Sequence, residues 1–418
     1  MKISSRLDRA TPYILIFPAV LFIFLFSILP IAGSMRYAFY DLQLNDRSRN
    51  AIYTEESVNL PLNEENNRYL LYFMDVEESV AQKPESLEKI EAVRMQVQAF
   101  DDYLKQEVTA PAGVQVASVD ANTMERIVGM QAGIQASLDE LYKIEDSFYS
   151  KDDAFAVAAD YDKTIITSNF TGADNFTRVL QDPRVRSTMW FTLAFTAFSV
   201  FFELILGLAL AMVMNRAMKG RGLIRTVSLI PWAIPTSVAA LIWSYLYNGS
   251  SGIMAHLFSV MQLIESPARL LTTSGGAFWG IVFADVWKTT PYMALLLLAG
   301  LQTIPEELYE SSSLEGAKRW QQFRHITLPL LKPSIFVALL FRTLDAFRVF
   351  DLIYVLTGGG PGGSTESISI YAYKIMFAQT RFGYGSAVVL VMALVVGIIT
   401  LIYIKALNVK LVGSEDSA

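Results

Sequence analysis

The chain has 418 residues, 53% of them hydrophobic and only 18% charged, and it contains 26 Phe. Soluble domains carry about 25% charged residues, so the composition points to a membrane protein. There is no Cys and there are only two His, His256 and His325. A disulfide framework, a thiol nucleophile and a cysteine metal site are excluded, and no zinc or iron centre is expected. The net charge of −6 is uneven: residues 41–183 hold most of the acidic side chains, and no chain-wide basic patch suggests nucleic acid.

Six apolar segments reach the roughly 20 residues that a helix needs to cross a bilayer: Tyr13–Ile31, Met189–Met214, Leu223–Tyr247, Phe278–Leu301, Ser334–Leu356 and Gly385–Ile404. Lys2, Arg6 and Arg9 precede the first and place the N-terminus inside. No small-x-small cleavage site follows it in register, so it reads as a retained anchor. Alternation then puts 32–188, 248–277 and 357–384 outside. Asn215–Arg221 with Arg225, the 305–333 loop, and the C-terminus with Lys405 and Lys410 fall inside, and every short internal loop is basic. The domain reading is a cytoplasmic N-terminus and first span (1–40), an extracytoplasmic insertion (41–183), a five-helix core (184–408) and a cytoplasmic tail (409–418).

Within the insertion, EESVNLPLNEENN with Pro61 reads as surface loop. Leu87–Val108 carries apolar residues at steps of three and four, and so does the stretch from Met124 to Ile144. Pro111-Ala112-Gly113 separates them, which predicts an antiparallel helical hairpin. Phe155–Ala158 and Thr164–Thr167 read as short β runs. No nucleophile–base signature or metal spacing is present. A chemoreceptor also places a helical domain between two spans, but that reading leaves the remaining spans unused.

Charges inside the spans demand partners. Glu203 in helix two costs about 3 kcal/mol or more unless paired, hydrated or protonated; lining a wet cavity and pairing with a neighbouring helix both fit. Pro231 and Pro235 predict a kink or break in helix three. Helix four carries Asp285, Trp287, Lys288, Thr289, Thr290, Pro291 and Tyr292, a set expected to face protein or water. Helix five carries Arg342, Asp345, Arg348 and Asp351, with Arg342 and Asp345 spaced to pair. After it, Gly358-Gly359-Gly360-Pro361-Gly362-Gly363 demands an irregular outer loop. Inside, Pro305–Pro333 offers good helix formers from Glu306 to Glu315, then a turn at Gly316.

Glu310-Ser311-Ser312, Gly316 and Ile326-Thr327-Leu328-Pro329 together resemble the cytoplasmic coupling motif of binding-protein-dependent ABC transporter permeases, with Ser311-Ser312 in place of the usual pair of Ala. Gly172-Ala173-Asp174-Asn175-Phe176 resembles the lead-in to the second helix of sugar-type permeases, and VFDLIYVLTGGGPGGSTE resembles the outer loop of the carbohydrate-uptake group. The likeness covers residues 10–40 and 165–405. The insertion's position resembles that of the maltose-type membrane subunit.

The resemblance implies an all-α, six-helix importer permease core with a mainly helical extracytoplasmic insertion between helices one and two. It implies a multi-pass bacterial inner-membrane subunit with both termini cytoplasmic. Expected partners are a second permease in a heterodimer, two ATPase subunits, an extracytoplasmic binding protein, the lipid bilayer and a sugar, a di- or oligosaccharide. No Gly-x-x-x-x-Gly-Lys-Ser/Thr loop is present, so ATP and Mg belong to the partner ATPase. ATP energy would enter through Glu310, Ser311, Ser312, Gly316, Ile326, Leu328 and Pro329. The substrate pathway would involve Asp285, Trp287, Lys288, Thr289, Tyr292, Asp345, Arg348 and Val349, with Gly358, Gly359, Gly360 and Pro361 in the external loop. Lys288 and Arg348 stand where the maltose-type subunit is uncharged, which fits an anionic sugar or neutralisation by nearby Asp residues. A polyol, glycerol-linked or charged sugar, or an ion-coupled secondary transporter, are the rival readings.

Overall fold

The computed structural model describes residues 15–46, 48–108, 115–216 and 219–407. The basic flank at Lys2, Arg6 and Arg9, the Pro111-Ala112-Gly113 break, Lys410 and the tail 409–418 lie outside the described residues. The chain divides into two compact units. One runs to Asn175 and adds Thr380–Tyr384; the other comprises Phe176–Gln379 and the residues from Gly385 onward.

The first unit begins with an apolar helix, α1 (Leu15–Tyr37), whose large side chains such as Leu15, Phe17 and Phe26 are exposed, as lipid contact requires. Three short antiparallel strands follow, β1 (Ser57–Asn59), β2 (Val116–Ser118) and β3 (Ile165–Ile166), ordered β2-β1-β3 with Val58 opposite Ala117 and Ile165. Around them pack α2 (Leu60–Val80), α3 (Pro84–Glu107), α4 (Ala121–Leu141) and α5 (Lys151–Ala159).

The hairpin expected from the apolar spacing is α3 with α4. Ile90, Val93, Val97, Phe100 and Leu104 meet Met124, Ile127, Ile134 and Leu138 in one buried cluster. Lys89 pairs with Glu140 at 2.5 Å, and Ser137 Oγ donates to Gln96 Oε1 at 3.0 Å, which sets the antiparallel direction. Leu87 leaves the stripe and is exposed.

Two local expectations fail here. The Asn-rich stretch read as surface loop is β1 followed by α2. Pro61 lies in the helix's first turn, where its missing N–H costs nothing, and Asn59 Oδ1 caps Leu62 N at 3.2 Å. The asparagines are buried: Gln131 Nε2 donates to Asn63 Oδ1 at 3.2 Å and to Thr164 Oγ1 at 3.1 Å, while Tyr161 Oη donates to Asn67 Oδ1 at 2.5 Å. Phe155–Ala158, read as β, belongs to α5, because its alanines let the helix pack closely, with Ala154 and Ala158 buried. Thr164–Thr167 does contain β3.

Asn175 closes this unit at the start of α6 (Asp174–Gln181). Its Nδ2 donates to Ala38 O and Tyr40 O, both at 3.0 Å, and Thr171 N donates to Phe39 O at 2.9 Å. The lead-in motif therefore ties the chain leaving α1 to the segment entering α6.

The second unit holds α7 (Pro183–Asn215), α8 (Arg221–Ala233), α9 (Thr236–Leu246), α10 (Ser274–Leu301), α11 (Glu307–Leu314), α12 (Arg319–Phe347), α13 (Asp351–Leu356), α14 (Ile368–Ala378) and, from Gly385 onward, α15 (Phe382–Leu407). Among the described residues five helices are long and apolar enough to cross a membrane, and α8 with α9, bent by 88°, makes a sixth when the pair counts as one span. The proline reading of helix three thus resolves as a break: Ile234 and Pro235 are extended, with ψ of 132° and 138°.

The fifth span does not run from Ser334 to Leu356. It begins at Arg319 and ends at Phe347. A widened turn over Phe323–Thr327, in which Leu328 N donates to Phe323 O, precedes Pro329, so the proline ring meets a loosened turn and the helix continues through it. Beyond Phe347 the chain breaks at Phe350, with φ −134° and ψ −68°, before α13. At the α10–α12 crossing, a Cβ on Gly300 would lie 2.2 Å from Ser334 Oγ. The close approach is one that small residues permit in membranes.

Replacing Asn175 by Asp turns a double donor into an acceptor facing two carbonyls. The expected loss is about 2–3 kcal/mol, against about 1–2 for Ala, read as a lower thermal unfolding midpoint of the detergent-purified protein. Equal midpoints for Asp and Ala would show that the two carbonyls do not depend on that amide.

Candidate functional site

Along α7 the residues Thr188, Thr192, Thr196, Ser199 and Glu203 recur at steps of three and four and are all buried, which makes a polar seam down one helix face. At its end lies the main feature of the second unit. Arg342 of α12 is 1% exposed and Glu203 of α7 is fully buried. Arg342 Nε donates to Glu203 Oε2 at 2.5 Å and Nη2 to Glu203 Oε1 at 2.9 Å. Nη2 also reaches Asp285 Oδ2 of α10 at 2.5 Å, and Nη1 reaches Asp345 Oδ2 at 3.0 Å. Thr289 Oγ1 donates to Glu203 Oε1 at 2.7 Å. One guanidinium fork thus joins three spans through charge-assisted bonds, the geometry arginine supplies and lysine does not.

Of the residues expected in the substrate pathway, this cluster gathers Asp285, Thr289 and Asp345. Asp345 is the outward member, its side chain 63% exposed. Lys288 is buried, its Nζ donating to Trp232 O at 3.4 Å, and Tyr292 stacks on Trp232 with ring centroids 5.6 Å apart. Trp287 packs edge-on against Trp243. Arg348 and Val349 are not brought into the cluster. They sit at the break after α12, where Arg348 is exposed and donates to Leu344 O at 3.2 Å. Of the two readings left open for Glu203, the geometry realises the ion pair. Sequence reasoning paired Arg342 with Asp345 alone; opposite charges at mid-span on two apolar helices were the available signal for Glu203.

Beyond the break the Gly-rich loop has left-handed φ at Gly358, Gly359, Gly362 and Gly363, and a cis Gly360–Pro361 peptide. Its anchor, Glu366, went unnoticed in the sequence. Glu366 is 1% exposed; Arg184 Nε and Nη2 donate to it at 2.8 and 3.0 Å, and Lys374 Nζ at 2.8 Å. Burial pushes its carboxyl up, but the bonds from Arg184 and Lys374 outweigh that and hold it below the ordinary glutamate range. Lys374 also donates to Gly358 O at 3.0 Å, Ser367 Oγ to Val349 O at 2.9 Å, and Ile368 N to Thr192 Oγ1 at 3.0 Å. The loop is a clamped structure that fixes both sides of the α12–α13 break.

At the opposite end of α12 lies a polar elbow. Glu307 and Glu310 stand in the first turn of α11, where carboxylates suit the helix dipole. Gly316 adopts φ +86°, which no bulkier residue takes without strain. Ser311 is exposed and Ser312 half-buried, Ile326 is half-buried, and Leu328 and Pro329 open the span. Leu314 is 90% exposed and Trp320 69%, a large apolar display beside a charged surface. Among the described residues no group of His, Asp or Glu is placed to hold a metal ion.

Broken and unbroken apolar spans joined by an internally paired ion cluster define a multi-pass membrane protein. The family described as binding-protein-dependent transport system inner membrane component matches residues 203–412, and the chain belongs to that family. It is 46% identical over 252 residues, 60% of this chain and 84% of the other, to the trehalose/maltose transport system permease protein MalF of Thermococcus litoralis. It is 44% identical over 59% of its length, and 78% of the other's, to the trehalose transport system permease protein SugA of Mycobacterium tuberculosis. At 38% over 59% of this chain and 79% of the other stands the sulfoquinovosyl glycerol transport system permease protein SmoG of Agrobacterium fabrum. A bacterial ABC transporter involved in the import of the acidic polysaccharide alginate shares the fold, with TM-score 0.53 and 22% identity over 70% of this chain and 99% of that one.

The chain is therefore the transmembrane permease subunit of an ABC importer that works with an extracytoplasmic binding protein, and the ion-coupled reading falls away. As a permease it is not the ATP-hydrolysing enzyme; in such systems ATP and Mg²⁺ are handled by a separate ATPase subunit.

Replacing Arg342 by Met leaves two buried carboxylates unpaired, a loss of about 3–5 kcal/mol. Thermal aggregation of the purified subunit should begin at lower temperature, and adding Glu203→Gln with Asp285→Asn should recover much of the loss. Glu366→Gln gives a second, pH-linked test. A carboxyl depressed in the fold stabilises above its ordinary value of 4.5, and that contribution is lost as pH falls through the folded value. The gap of about 2 kcal/mol between wild type and variant at neutral pH should close in acid.

Proposed function

We propose that this permease carries a di- or oligosaccharide, released to it by the binding protein, across the inner membrane. It would do so as a heterodimer with a second permease bound to two ATPase subunits, both termini lying in the cytoplasm and residues 41–183 outside. The named substrates of the trehalose- and maltose-type relatives support the sugar class. The observation that carries the mechanism is α12, one uninterrupted helix from the elbow to Arg342. Leu314 and Trp320 offer an apolar face to an ATPase cleft, with Glu310, Ser311, Ser312 and Gly316 shaping the helix that docks and Ile326, Leu328 and Pro329 setting the angle of the span it moves.

ATPase closure draws the elbows of the two permeases together and opens the cavity outward. Release of ADP and phosphate returns it inward, so transport alternates between two states that nucleotide selects. In the cavity Lys288, Tyr292 and Trp287 supply donors and stacking faces, with Asp285, Thr289 and Asp345 orienting them, while Arg348, Val349 and Gly358–Pro361 form the entrance. One observation favours a second reading, an anionic or glycerol-linked sugar: Arg348 is exposed, and its Nε bond to the Leu344 carbonyl leaves the positive charge unneutralised.

Both readings meet one measurement, the ATPase activity of the reconstituted complex with its binding protein and a panel of neutral, anionic and glycerol-linked sugars. One class should stimulate. Gly316→Pro, which forbids the left-handed turn, should cut that stimulation by about ten-fold or more while the complex still assembles. An assembled variant with full stimulation would remove the elbow from the mechanism.

A further inference from the structure

α11 is joined to α12 by more than the Gly316 turn. At the turn the backbone is held only locally, by Gly316 N on Ser313 O at 3.0 Å and Ala317 N on Ser312 O at 2.9 Å, no side chain packs where a Cβ on Gly316 would sit, and a helix as short as α11 has little stability of its own. On the other side of the turn, Gln322 Nε2 lies 3.1 Å from Tyr309 O, 3.0 Å from Ser312 Oγ and 2.8 Å from Ser313 Oγ. Both serine hydroxyls donate to the same Tyr309 carbonyl, at 2.9 and 2.7 Å. Tyr309 Oη is 3.0 Å from Thr327 Oγ1, inside the widened turn of α12. Two attachment points on each helix, away from the turn, make a triangle that cannot fold or splay without breaking bonds.

We propose that Gln322 is a positioning residue: a strut that makes α11 and α12 move as one body, so that a push on α11 reaches the Arg342 cluster instead of being absorbed at Gly316. From Gln322 to Arg342 the helix carries that displacement about 30 Å. Ser312, which stands where the family pattern has alanine, adds an acceptor to the strut that alanine would lack. The inference rests on the reading of α11 as the ATPase contact.

The test uses the full complex in proteoliposomes with its binding protein and a transported sugar, with uptake and ATP hydrolysis measured together. Gln322→Met keeps length and helix propensity but removes both N–H donors. The ATPase subunits should still co-purify and hydrolyse ATP, while sugar moved per ATP falls about three- to ten-fold. Gln322→Lys, which returns donors at similar reach, should restore most of that ratio. An unchanged ratio in the Met variant, or a fall that Lys does not repair, overturns the strut. If the Met variant fails to assemble, the pair Ser312→Ala with Ser313→Ala decides: it removes two of the three acceptors of Gln322 and leaves only the Tyr309 carbonyl, so the ratio should still fall, and an unchanged ratio there overturns the proposal. Leu314→Asp reports on docking alone. If it leaves ATPase binding and stimulation intact, the contact reading fails, whatever the strut variants do.

Discussion

A guanidinium buried among apolar helices is the constraint on which the second unit depends. Each charge placed in a bilayer interior costs about 3 kcal/mol or more when it stands alone. Arg342 with Glu203 and Asp285 escapes that cost only because the fork meets both carboxylates at once, with Nε and Nη2 on one and Nη2 on the other. The residues that would otherwise be liabilities therefore specify which faces of α7, α10 and α12 must meet. Apolar packing between membrane helices has no such selectivity, since lipid is as apolar as the partner helix. Farther along the same pair of helices, Gly300 lets the α10 and α12 backbones approach closely at Ser334.

The two ends of α12 answer to different demands. Near its start the widened turn before Pro329 lets the helix continue where a proline would normally end it, so elbow and cluster share one continuous helix. At its end the helix must stop, and the Glu366 clamp makes it stop at a defined place: Ser367 takes the Val349 carbonyl while Arg184 and Lys374 hold Glu366. A long continuous segment with fixed terminations passes on displacement.

Much of this was legible in the residues, and the exceptions share a cause. Hydropathy located the spans because burial in lipid is a property of whole segments. Prolines 231 and 235 announced a break because a missing N–H acts locally. The α3–α4 hairpin followed from its apolar stripe. What failed were stretches where composition and environment disagree. The asparagines of α2 look like loop residues, but Gln131 and Tyr161, distant in sequence, satisfy them in a core. Phe155–Ala158 has no periodicity long enough to separate helix from strand. Gln322 stands in no motif, and Glu366 is only the last letter of the outer-loop pattern; what each does depends on where its partners lie, on other helices and loops.

The same reasoning bears on what the pathway can recognise. Asp285 and Asp345 were expected along the substrate pathway, with neutralisation of nearby cations the open alternative; both are engaged by Arg342, and Glu203 takes up the Thr289 hydroxyl. What the cluster leaves over is Lys288 with a single long bond to a carbonyl, the stacked pair Trp232 and Tyr292, and the exposed Arg348; under the proposed function these are the groups left to meet a cargo. Flat aromatic faces and a few donors suit the apolar faces and many hydroxyls of a saccharide better than they suit a small compact ion. Carboxylates held by their own arginine keep α7, α10 and α12 assembled, so the proposed function assigns the joining of the helices and the handling of the cargo to different side chains.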